Sequence, residues 1–144
     1  MGLIVPQRYK KLFGKVRTGK RPKDGWGTQT GKLIYSLNNF FRKNRINLKE
    51  ERSFLIKPKE IKEFLRKNLK DKDIIVCFDY KNLYHKQRDS RGHVSIIENI
   101  EDDIVTLIDP EYRVPKYRKV SLEEISKAIE SHGEENGGGF WVIS

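Results

Sequence analysis

The chain contains one cysteine, Cys77, among its 144 residues, so an internal disulfide framework is excluded and a packed core must hold the fold. Long apolar runs are also missing, and no stretch approaches the roughly 20 residues that cross a bilayer as a helix. The N-terminal run Leu3-Ile4-Val5 is too short for the apolar heart of a secretory signal. Together these absences predict a cytoplasmic protein with no membrane span. Acidic residues are absent from positions 1 to 23, which carry Arg8, Lys10, Lys11, Lys15, Arg17, Lys20, Arg21 and Lys23, or +8 of the formal net charge of +10. The remaining residues carry 22 basic and 20 acidic groups, so a near-neutral body follows a basic arm.

Metal and phosphate sites fail on spacing. Cys77, His85 and His93 recur eight residues apart, but they match no zinc spacing and lack a fourth ligand, so neither a metal nor another cofactor is expected. The triple glycine Gly137 to Gly139 has no strand, loop and helix setting of a phosphate cradle, and reads as a flexible connection. Glu101, Asp102, Asp103, Asp109 and Glu111 read as a solvated acidic edge. Charged residues make up 35% of the chain, with many Lys, Glu and Ile, a bias compatible with a thermophilic source.

What is present is a mixed pattern of helices and strands. Leu33, Ile34, Leu37, Phe40 and Phe41 share one helical face and predict a buried helix over residues 30 to 42. Pro58, a favoured first-turn residue, opens a second helix that turns Ile61, Phe64, Leu65 and Leu69 inward. Ser121 and Glu124 form a capping box for a third, with Leu122, Ile125, Ala128 and Ile129 on its apolar face. Strands are expected at about residues 73 to 80, 93 to 100, 103 to 109 and 139 to 143. A helix followed by a sheet gives an α+β class, one domain in which the helix packs on an antiparallel sheet.

The stretch GHVSIIENIEDDIVTLIDP carries the chemistry. Val94 and Ile96, with Ile104, Thr106 and Ile108, fall on one set of faces, and Ile97, Val105 and Leu107 on the other, so both strands read as largely buried. If the chain folds back around Glu101, Asp102 and Asp103, the head of the first strand meets the tail of the second. His93 and Asp109 then lie side by side, an arrangement that orients an imidazole as a general base. The same residues also serve ordinary roles, His93 beginning a strand and Asp109 an Asp-Pro turn. No nucleophile accompanies them: Cys77 sits in the apolar run IIVCF, where a thiol behaves as an inert small hydrophobe.

GHVSII, the short acidic turn, VTLIDPEYR and KVSLEEISKAI resemble the C-terminal half of papain-like cysteine peptidases of the bacteriocin-processing, double-glycine leader type. DGWGTQTGKLIYSLNNFF, residues 24 to 41, is similar to the stretch in which that family's cysteine motif enters its central helix. The resemblance implies a papain-like domain over residues 24 to 144, with His93 and Asp109 at the family's histidine and aspartate positions. It also implies a lost active site, since Gly25 or Trp26 stands in the cysteine position and the oxyanion glutamine has no match at Gln7 or Gln29. Thr28 is the nearest hydroxyl to that position, although a threonine there also suits a helix N-cap. Trp26 is expected at the start of the central helix, filling the thiol's place. The polar loop from Lys81 to Arg91 would border the cleft and offer Tyr84, His85 and Arg88 to a ligand. The expected function is peptide or protein binding without catalysis, and the rival is a hydrolase that uses His93 and Asp109 with Thr28 or water.

Tyr9 and Phe13 stand among the cations of the arm, while Gly14, Gly19 and Pro22 argue against a continuous helix. Nucleic acid is therefore a further partner class, with the alternative that the arm packs on the body. Phosphate contact through the arm predicts affinity for generic RNA or DNA that falls steeply with salt, and loss of most of that dependence on deleting residues 1 to 23. Filter binding across a salt series measures it, and full-length protein that binds neither polymer at low salt leaves the arm a packing or solubility element.

Overall fold

In the computed structural model, residues 36–84, 92–110 and 115–144 are described. The chain divides after Lys49 into two units. In the first, helix α1 spans Leu37–Lys43; Ser36 caps it in an extended conformation, its hydroxyl accepting from the Asn39 amide at 3.2 Å. The predicted helix over residues 30 to 42 is corrected by that cap, because a residue at ψ 151° interrupts helical hydrogen bonding. At the other end the Asn44 side-chain Nδ2 donates to the Phe40 carbonyl at 2.9 Å, and Lys43 and Arg42 suit the negative end of the helix dipole.

The second unit is mixed α and β. Its elements in order are β1 (Glu50–Ser53), α2 (Pro58–Asn68), β2 (Asp73–Asp79), α3 (Tyr80–Tyr84), β3 (Gly92–Glu101), β4 (Ile104–Ile108), β5 (Tyr117–Ser121), α4 (Leu122–His132) and β6 (Gly139–Ile143). The sheet is antiparallel throughout, in the order β1-β6-β2-β3-β4-β5. The last strand thus enters between the first and second, giving Ile74 partners on both sides, Ile97 and Val142.

One face of the sheet carries the core. Ile74, Val76 and Phe78 of β2, Ile97 of β3, Val105 and Leu107 of β4, Val120 of β5, and Phe140 and Val142 of β6 meet Ile61 and Leu65 of α2 and Leu122, Ile125, Ala128 and Ile129 of α4. The apolar spacing of α2 and α4 is the predicted one, and Pro58 begins α2. The capping box of α4 is complete: the Glu124 amide donates to the Ser121 hydroxyl at 3.2 Å, and the Ser121 amide donates to the Glu124 carboxylate at 2.8 Å. Two-sided burial of the β3–β4 hairpin is corrected, since Val94 and Ile104 are exposed on the face away from this core. A bulge between Ile97 and Asn99 lets both Ile97 and Ile100 pair toward the core despite their odd spacing. The turn is Asp102-Asp103 alone, with Asp102 at φ 51°, and Glu101 belongs to the strand.

Strands β1 and β5 and helix α3 were not expected from the sequence, because EERS, YRKVS and YKNLY offer little apolar periodicity. The triple glycine is not a free connection either. Gly139 opens β6 at φ 109°, and a Cβ there would lie 2.5 Å from the Ser53 carbonyl oxygen, so only glycine lets β1 close against β6. Gly139→Ala is therefore expected to cost about 2 kcal/mol or more in chemical denaturation, whereas an unconstrained connection would leave stability unchanged or slightly raised.

Candidate functional site

The candidate site forms where the heads of β3 and α3 meet the end of β4. Pairing of β2 with β3 sets His93 opposite Phe78 and Ser95 opposite Val76, on the core face. Leu107 shares that face, so two residues later Asp109 faces the same way. His93 Nε2 lies 2.9 Å from Asp109 Oδ1, and the Ser95 hydroxyl donates to Asp109 Oδ2 at 3.0 Å. The Tyr84 hydroxyl donates to the same Oδ2. The Asp109 side chain is fully buried, and the acceptor-only carboxylate is the form that matches these converging donors.

With a carboxylate as partner, Nε2 is the imidazole nitrogen that donates, which leaves Nδ1 to exchange a proton elsewhere. Ring packing fixes the plane: Tyr80, Phe78 and Tyr84 hold His93 edge-on at centroid distances of 5.0, 5.5 and 5.9 Å. Burial first, then the hydrogen bond to Asp109 and its negative charge, hold the Tyr84 phenol far above the ordinary tyrosine range, so it donates throughout neutral pH. The Arg118 guanidinium covers the Tyr84 ring at 4.0 Å.

Asp79 aims the helix that supplies Tyr84. Buried at the end of β2, its carboxylate accepts from the Lys81 amide at 2.9 Å, the Asn82 side chain at 3.3 Å and the Ser131 hydroxyl of α4 at 3.0 Å. Helix α3 therefore starts at β2 and is tied to α4. Gly92 lies close under α4, where a Cβ would meet the His132 ring at 2.7 Å and push that side chain aside.

The hydrogen bond expected between His93 and Asp109 is present. Two expectations around it are corrected. Tyr84 is not in a polar loop offered to a ligand: it is buried in α3 and supports Asp109, because Asp79 nucleates helix where the sequence looked irregular. Asp109 does not belong to a solvated acidic edge, as strand parity turns it inward, whereas Glu101, Asp102 and Asp103 are exposed. Cys77 pairs with Val94 on the opposite face from His93, buried, and burial pushes its thiol up to about 11, so it offers no nucleophile to this imidazole. Trp26, Thr28, His85, Arg88 and the arm residues Arg8, Lys10, Lys11, Lys15, Arg17, Lys20, Arg21 and Lys23 lie outside the described residues.

Ser95, Asp79 and Arg118 went unread in the sequence. Ser95 had a signal, being two residues beyond His93 on the same strand face. Asp79 had a local one, its place two residues before the Lys81 amide it accepts from, while Arg118 had none, since Tyr84 is distant in the chain. No family model matches this chain, and no curated protein matches it.

Tyr84→Phe removes one donor from a buried carboxylate and is expected to cost about 1–3 kcal/mol, while Asp109→Ala, which strips the acceptor from three groups, costs about 3–5 kcal/mol. Urea denaturation of the single and double variants measures both. Because the residues share one network, the double variant should fall short of the sum by about 1 kcal/mol or more; strict additivity would show that the phenol and the carboxylate act independently.

Proposed function

We propose that this protein is a papain-like, peptidase-related domain of the bacteriocin-processing type that has kept its histidine and aspartate, lost its nucleophile, and binds a peptide or protein without cleaving it. The observation that carries this reading is the His93–Asp109 pair, ordered by Tyr84 and Ser95, with both of those hydroxyls bonded to Asp109 and no thiol beside the imidazole among the described residues. Ser95 is committed to Asp109, and Cys77 lies on the far face of the sheet. An imidazole so held can exchange a proton with a ligand, but acyl transfer also requires an attacking atom within reach of it.

The sheet order supports the reading in a second way. His93 and Asp109 come from sequential antiparallel strands, as the resemblance of GHVSII and VTLIDPEYR implies for the papain-like layout. Incubation of the full chain with a panel of extended oligopeptides tests it, with mass spectrometry for cleavage and fluorescence anisotropy for binding. Saturable binding with no products is expected. Turnover that disappears in His93→Ala would overturn the binding reading in favour of a hydrolase using Thr28 or water, and absence of any saturable binding would overturn it outright.

A further inference from the structure

Strand β5 is an edge: β4 lies on one side of it and, among the described residues, no strand lies on the other. In an antiparallel ladder, residues alternate between those whose N–H and C=O both face the neighbour and those whose groups both face away. Two bonds set the phase here. The Asp109 amide donates to the Lys116 carbonyl at 2.7 Å, and the Leu122 amide donates to the Asp103 carbonyl at 2.9 Å, both in register with the pairs Ile104↔Ser121 and Ile108↔Tyr117. Lys116, Arg118, Val120 and Leu122 therefore bond inward, and Tyr117 and Lys119 direct their N–H and C=O groups outward. Among the described residues no backbone hydrogen bond reaches those outward groups. The open stretch ends at Ser121, whose amide is taken by the Glu124 carboxylate.

We propose that this edge captures an extended, acidic peptide, which adds to the sheet as a further strand beside β5. The proposal rests on the peptide-binding reading above and names the surface and the chemistry of its partner. Alternating donors and acceptors on Tyr117 and Lys119 match a peptide backbone, the pairing that underlies strand addition at sheet edges. Lys116, Arg118 and Lys119 place three cations along the same stretch with no acidic residue from 116 to 121, and Lys116 and Lys119 are exposed. Tyr117, 53% exposed, offers a ring for an apolar side chain of the incoming strand.

Charge selects this occupant over two others. A second copy pairing antiparallel about Lys119, the middle residue of β5, would set Lys119 opposite Lys119, and like charges across a ladder are destabilising. A nucleic acid would meet the cations and the outward N–H groups of Tyr117 and Lys119, but its phosphates offer no donors to the carbonyls that alternate with them, whereas a peptide backbone matches both. The strand also adjoins the candidate site, because Arg118 covers the ring of Tyr84, whose hydroxyl holds Asp109.

The test titrates full-length protein with a fluorescein-labelled heptapeptide of alternating glutamate and valine, followed by anisotropy. Saturable binding that weakens with salt is expected, and the same peptide with lysine for glutamate should bind at least tenfold more weakly. Methylating alternate backbone nitrogens of the peptide should also weaken binding at least tenfold, with the protein unaltered. Lys119→Pro should do the same while leaving the circular dichroism spectrum intact, since the amide it removes bonds to no strand of the sheet. Failure of the acidic peptide to bind, or binding indifferent to both N-methylation and Lys119→Pro, would overturn the proposal. If that indifferent binding is lost in His93→Ala, the edge fails while the cleft reading stands. Dimerisation abolished by Lys119→Pro, or full competition by single-stranded RNA, would overturn it in favour of those occupants.

Discussion

Everything around the candidate site depends on one buried carboxylate. Asp109 sits just past β4 with its side chain out of solvent, where an ionised group is tolerated only if its oxygens are met by donors. Those donors come from separate parts of the chain: Tyr84 from α3, and His93 and Ser95 from β3. The backbone of Asp109 is held too, by the hydrogen bond its N–H donates to the Lys116 carbonyl ahead of β5. A single side chain thereby fixes a short helix and a strand head about the end of β4, and sets the imidazole's tautomer.

The supporting frame is built so that this cluster stays in place. Asp79 starts α3 directly from β2 and ties it through Ser131 to α4, while α4 is anchored on the core by its apolar face and by the Ser121–Glu124 box. β6 completes the frame by entering between β1 and β2, which leaves β2 paired on both edges. The strand beneath the site is thus among the most constrained of the sheet. The site adjoins β5, an edge strand with one neighbour among the described residues, through the contact of Arg118 with Tyr84.

Local signals in the sequence determined the helices α2 and α4, through apolar spacing, a first-turn proline and a capping box, and the strands β2, β3, β4 and β6, through apolar runs. They also pointed to the juxtaposition of His93 and Asp109, but the bulge between Ile97 and Asn99 decided it, since a two-residue turn with an unbroken period of two would set Asp109 opposite Ile96, on the face away from His93. Only tertiary structure decided the rest. EERS and YRKVS become strands by pairing with neighbours rather than by preference, and YKNLY becomes helix where Asp79, held by Ser131 of α4, accepts from the Lys81 amide. Tyr84 joins the site for the same reason: a buried carboxylate recruits donors from wherever the fold brings them, and a separation of 25 residues leaves no local pattern to read, whereas Ser95 was legible two residues after His93 on one strand face.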